Sequence, residues 1–110
     1  MTEIDLLSRG QRVDNNEWVI GYYVFNKFLG ATITTEDERV EVNQESVGRF
    51  TGRIDKNGIY IFEGHIIKTF IGFIYEVENM IDFALWIERQ FLGCPELTIC
   101  GNIIDINTDN

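Results

Sequence analysis

Apolar and polar residues alternate along much of this chain with a period of two, the spacing of a strand with two distinct faces. The clearest run is Glu17-Trp18-Val19-Ile20-Gly21-Tyr22-Tyr23-Val24-Phe25-Asn26. Trp18, Ile20, Tyr22 and Val24 fall on one side of it, and Val19, Tyr23 and Phe25 on the other. Both sides are apolar, which predicts a strand covered on two faces. Gln11 to Asn16 before it reads as a turn. Ala31 to Val42 predicts two short strands around Glu36-Asp37-Glu38, a charge run that reads as a solvated hairpin tip. A second hairpin follows at Asp55-Lys56-Asn57-Gly58, with Ile59 to Phe62 as its return strand. Asn-Gly between β-forming residues points to a type I′ turn with positive φ at both central positions. Glu63-Gly64 then turns the chain into the strand that begins at His65.

Further on, Gly72 to Glu78 and Ile81 to Glu88 alternate again and predict a hairpin turning at Asn79-Met80. Ile81, Leu85 and Glu88, with Ala84, equally fit a short amphipathic helix. The pattern over residues 79–91 leaves strand and helix both open. Gly93-Cys94-Pro95 marks a further turn, Leu97 to Ile106 a last strand, and Asn107 to Asn110 a polar tail. The abundance of Ile, Val, Phe, Tyr and Thr, the single proline and the recurrent Gly and Asn/Asp punctuation make the fold class mainly β.

Composition narrows the function classes. At 110 residues and 45% hydrophobic content the chain suits one compact unit, or a small domain with an extension, and is too apolar to be disordered. Its 18 acidic residues against 9 basic ones give a formal net charge of -9. Such a chain is repelled by a duplex unless its basic residues gather on one face. They are scattered in sequence, and the group best placed to gather is Arg49, Arg53 and Lys56. The start of the chain has no basic, then apolar, leader, and no apolar run approaches the roughly 18 residues of a membrane helix. No membrane association is expected, and the expected location is the cytoplasm.

Candidate chemistry is sparse. A zinc site needs about four ligands. Two cysteines, Cys94 and Cys100, and one histidine, His65, do not supply them, and the thiols read as small, half-buried side chains in a reducing compartment. Gly58 is followed by Ile59 and Gly64 by His65, so the Lys and hydroxyl of a phosphate-binding loop are absent. A catalytic His65 needs a nucleophile and an orienting partner. Glu63 and Thr69, near it in sequence, do not establish either, so a structural role is expected of it, and it stands among the interaction candidates. Glu76 and Glu78 share a face of a strand and read as a solvated side. No metal, cofactor or catalytic residue is expected, and the chain is not read as an enzyme. The aromatic set is two Trp, four Tyr and eight Phe. A small β domain buries only part of such a set, and a surplus at the surface marks a protein interface. Trp18 and Trp86 are the candidate anchors.

The segment Asn43-Gln44-Glu45-Ser46-Val47-Gly48-Arg49-Phe50-Thr51-Gly52-Arg53-Ile54-Asp55-Lys56-Asn57-Gly58, followed by Ile61-Phe62-Glu63-Gly64-His65-Ile66-Ile67, resembles the central motif of the YopX family of phage and prophage proteins. Leu7-Ser8-Arg9-Gly10 with Glu17-Trp18-Val19-Ile20-Gly21 resembles the family's N-terminal block. Ile99-Cys100-Gly101-Asn102-Ile103-Ile104-Asp105-Ile106 resembles its ending. His65 stands where the family usually has Asp, and the usual Pro after the Gly-Asn-Ile block is absent. The resemblance implies a mainly β fold: an N-terminal segment of antiparallel strands over residues 1–45 and a small SH3-like barrel over 46–110, or one compact unit. It implies a phage or prophage setting, and it implies no particular activity and no catalytic residues to carry over. Together these readings favour a non-enzymatic interaction module that binds itself as a homo-oligomer, or binds a host protein. The alternatives are a nucleic-acid-binding module using Arg49, Arg53 and Lys56, or an acidic inhibitor of a host DNA-binding protein. A small enzyme, which would need a pocket around His65 or paired carboxylates, ranks below them.

Overall fold

A computed structural model describes residues 6–89 and 96–107. Its elements are β1 (Leu7–Gln11), β2 (Trp18–Asn26), β3 (Gly30–Thr34), β4 (Arg39–Glu41), β5 (Gly48–Ile54), β6 (Tyr60–Phe62), β7 (His65–Thr69), β8 (Ile74–Glu76), α1 (Met80–Glu88), β9 (Leu97–Asn102) and α2 (Ile103–Asn107). A single 3-10 turn spans Gln44–Ser46. The strands form two antiparallel sheets, ordered β4-β3-β2-β1-β5-β6 and β8-β7-β9. Both sheets are open among the described residues, and their order alone makes no barrel. No helix among those residues is long and apolar enough to cross a membrane. The chain divides into two compact units, Met1–Phe50 and Thr51–Asn110, with the boundary inside β5.

In the first unit β2 pairs with β1 on one side and β3 on the other, with Tyr22 opposite both Leu7 and Thr34. Its alternation sorts the side chains as the sequence predicts. Val19 and Tyr23 pack against the buried cluster Ala31, Ile33, Val40 and Val42. The opposite face differs from expectation: Ile20, Tyr22 and Val24 remain 49%, 39% and 44% exposed. One side of the strand is covered as far as Tyr23, with Phe25 beyond it 59% exposed, and the other is open. The acidic tip between β3 and β4 is solvent-exposed, and the Thr35 hydroxyl accepts the Asp37 and Glu38 N–H groups.

β1 has no apolar alternation, and the sequence does not announce it, yet it lies between β2 and β5. Ser8, Arg9 and Gly10 are all buried. The Arg9 guanidinium sits 3.8 Å from the centre of the Trp18 ring, which lets a cation lie on a sheet face by cation–π contact. The Ser46 hydroxyl accepts the Gln11 N–H at 2.7 Å, so the 3-10 turn fastens the end of β1.

The second unit is built on Ile61, Ile67, Val77, Phe83, Ile87 and Leu97, with Tyr75, Trp86 and Ile99 packed against them. The hairpin expected to turn at Asn79-Met80 is instead β8 followed by a helix. Asn79 is the N-cap, its side-chain oxygen accepting the Asp82 N–H at 2.8 Å. A strand would place Ile81, Phe83, Leu85 and Ile87 on one face. The helix separates them into Phe83 and Ile87, which are buried, and Ile81 and Leu85, which are exposed. The last strand is also shorter than predicted, because the chain turns helical at Ile103.

The Asn57-Gly58 hairpin forms with a different turn from the one expected. Gly58 has φ 81°, but Asn16 is the only non-glycine residue with positive φ among those described, so Asn57 is not left-handed. The Gly58 N–H donates to the Asp55 carbonyl at 3.0 Å and the Asp55 N–H to the Ile59 carbonyl at 2.8 Å. This is a type I turn followed by a left-handed glycine, the three-residue hairpin loop.

Candidate functional site

The chemistry-bearing side chains of the second unit are engaged in holding its backbone. The Asp55 carboxylate is buried. One oxygen accepts the Asn57 and Ile59 N–H groups at 2.8 and 2.9 Å, and the other accepts the Ile99 N–H at 3.3 Å. Burial pushes this carboxyl upward and is the largest single influence. The three backbone donors, Ile59, Ile99 and Asn57, together outweigh it and hold Asp55 below the usual carboxylate range.

His65 is buried at the start of β7, and its Nδ1 accepts the Phe62 N–H at 2.9 Å. A ring nitrogen that accepts carries no proton, so the ring is neutral with its proton on Nε2. At this position His65 supplies an acceptor that an Asp side chain would also have. The Glu63 carboxylate accepts the Met80 N–H at 3.1 Å.

The remaining polar features do not assemble a reactive centre. A cleft of about 300 Å³ in the first unit is lined by Arg12, Asp14, Glu38, Arg39 and Glu41. Arg12 bonds Asp14 through both Nε and Nη2, at 3.0 and 3.1 Å, and reaches Glu38 at 3.6 Å. These ion pairs are solvent-exposed, and the cleft holds no histidine or thiol. Cys100 is exposed, not half-buried as expected, and Cys94 lies outside the described residues. No group of three or more His, Cys, Asp or Glu that could hold a metal occurs among the described residues.

The interaction residues expected from sequence lie on β5, the β5–β6 turn, β7, β2 and α1. Arg49 is exposed on β5 opposite Ser8, in the first unit. Arg53 is exposed near the end of β5, and Lys56 is exposed at the apex of the β5–β6 turn, both in the second unit. Trp18 is half-buried beneath Arg9. Trp86 is half-buried on α1 and stacks on Tyr75 with ring centres 4.5 Å apart.

The feature that sequence reasoning passed over is the β7–β8 turn, Thr69-Phe70-Ile71-Gly72-Phe73. It repeats three of the hydrogen bonds of the β5–β6 turn, without a counterpart to the Asn57 N–H bond to Asp55. The Thr69 N–H donates to the Phe73 carbonyl at 2.8 Å, and the Gly72 N–H to the Thr69 carbonyl at 3.0 Å. The Phe73 N–H donates to the Thr69 hydroxyl at 3.0 Å, as the Ile59 N–H does to Asp55. Gly72 has φ 96° where Gly58 has 81°. The apex residues differ: Lys56 and Asn57 in one, Phe70 and Ile71 in the other. This turn geometry needs nothing apolar at its apex, and polar residues fill it in the first case. Phe70, Ile71, Phe73 and Ile74 are nevertheless 67%, 64%, 65% and 59% exposed. Covering one such side chain is worth roughly 1.5–3 kcal/mol, so their exposure forgoes a large stabilisation.

Fold and surface thus define a mainly β protein of two open antiparallel sheets, with exposed apolar side chains at the β7–β8 tip, Phe70-Ile71, and at the β2–β3 tip, Phe28. Residues 12–103 match the family model described as YopX protein, and the chain belongs to the YopX family. Neither a search of curated proteins nor a search of solved structures gave a match.

Proposed function

We propose that this chain is a non-enzymatic interaction module that associates with itself, acting in the cytoplasm of a cell that carries a phage or prophage. The observation that carries this reading is the apex pair Phe70-Ile71. Two turns that share three hydrogen bonds sit in one unit, and only one carries large apolar side chains at its apex. The open face of β2, with Ile20, Tyr22 and Val24, adds a second uncovered apolar surface. Surfaces of this kind on small folded chains serve as protein interfaces. An SH3-like organisation of the C-terminal strands belongs to the same proposal and rests on their shortness and tight turns.

Size-exclusion chromatography with light scattering tests the reading. An oligomeric mass at micromolar concentration is expected, and a monomer across that range overturns it. The second reading, binding of nucleic acid, is favoured by the exposure of Arg49, Arg53 and Lys56. Against it stands the net charge of -9. A mobility-shift assay at low salt decides it, and an unshifted probe eliminates it.

A further inference from the structure

We infer that the self-association surface is the open edge of β8, which pairs antiparallel with β8 of a second copy about a two-fold axis through Tyr75. This rests on the self-associating reading above and specifies its geometry. β8 ends the sheet β8-β7-β9. The pairs Thr69–Phe73 and His65–Val77 are hydrogen-bonded across the hairpin. Antiparallel alternation then makes Ile66–Glu76 and Lys68–Ile74 the non-bonded pairs. Ile74 and Glu76 therefore direct their own N–H and C=O groups away from β7, and no described residue bonds to them. The sheet's other edge is occupied: the Lys56 N–H donates to the Leu97 carbonyl at 2.8 Å, and Asp55 accepts the Ile99 N–H. An uncapped edge is a template for another strand. An identical strand run antiparallel makes a closed, isologous pair.

Charge and apolar groups both fit this register. With the axis at Tyr75, Ile74 lies opposite Glu76 of the second copy, and the two Glu76 side chains avoid each other. Along one row of the joined sheet the order is Lys68, Ile74, then Glu76 of the second copy. The outer two are two strand spacings apart, about 10 Å, within the combined reach of a Lys and a Glu side chain. Lys68 and Glu76 are exposed, and neither forms an ion pair among the described residues. The same register carries each Phe70-Ile71 tip toward the start of the other copy's α1, where Ile81 is 73% exposed.

The test is the mass and dissociation constant of the full chain, its Lys68→Glu and Glu76→Lys variants, the double charge swap, and Phe70→Ser/Ile71→Ser, with circular dichroism to verify folding. Each single reversal puts like charges together at both ends of the interface and is expected to weaken the dimer on the order of tenfold. The double swap keeps the net charge at -9 and is expected to restore the dimer. The polar tip variant is expected to run as a monomer. A monomeric parent chain overturns both the self-associating reading and this surface. An oligomeric parent that neither the reversals nor the tip variant perturb overturns the surface alone. Reversals that weaken the dimer without rescue by the swap overturn the register.

Discussion

At the scale of single residues, a buried acid and a buried imidazole serve the backbone of the second unit. Asp55 holds the β5–β6 turn and reaches β9, 44 positions away, with one carboxylate. Because its folded pKa is depressed, the stability it contributes is fully present above the unfolded value, about 3.9. That stability is lost as pH falls through the lower folded value. Asp55→Asn is expected to cost roughly 1–3 kcal/mol at pH 7, since an amide cannot accept at both ends. The gap between parent and variant should narrow below about pH 4. Urea denaturation of the two proteins at pH 7 and in acid measures this, and a pH-independent gap contradicts the assigned role. For His65, the acceptor argument predicts that His65→Asp preserves the Phe62 bond. His65→Leu leaves that buried N–H without its acceptor, at a cost of roughly 1–3 kcal/mol. As the only histidine, His65 gives one set of ring-nitrogen NMR resonances. These should report the Nε2–H form at neutral pH, and an Nδ1–H form would refute the bond.

At the scale of elements, what sequence could reveal depended on whether side chains or backbone defined the element. β2, β3 and β4 were legible because their apolar alternation is the cause of their burial. β1 was not, since its residues are held by ladder bonds to β2 and β5, by Ser46 and by the Arg9–Trp18 contact. The helix α1 was ambiguous for a specific reason. Apolar residues at 81, 83, 85 and 87 satisfy both a period of two and a pair of i, i+4 contacts. Asn79 is the deciding residue: in sequence it fits a turn, and in the structure it is the cap of α1. Asn79→Ala is expected to destabilise the protein by about 1 kcal/mol. Thermal unfolding monitored by circular dichroism measures it, and an unchanged midpoint denies the cap its role. The hairpin tip at Phe70-Ile71 escaped notice because turns are recognised by polar residues, and here Thr69 and Gly72 alone specify the geometry. The candidate surface was legible only as a surplus of aromatics, without its location.

At the scale of the molecule, the net charge of -9 sets the conditions under which copies can meet. Two such chains repel over a Debye length, about 30 Å at 0.01 M salt and 8 Å at 0.15 M. Self-association should therefore tighten as salt rises through this range, because apolar contact and backbone pairing remain, and screening the repulsion between two chains of charge -9 outweighs screening the two Lys68–Glu76 pairs. Sedimentation velocity across that series reads the effect. Binding to nucleic acid would weaken over the same range, so the sign of the salt dependence separates the two readings of function. Membership of the YopX family agrees with the mainly β architecture and assigns no chemistry to it.

The polar strand β1 has a consequence for how the first unit can be assembled and taken apart. A strand with neighbours on both sides and almost no apolar side chain has little to recommend it until both neighbours stand in place. It is then the keystone of that arch, set last and lifted out first. The loop from Val13 to Glu17 that tethers it is exposed, so the tether can be cut without disturbing a buried side chain. In that respect β1 is closer to a bound peptide than to a founding part of the fold.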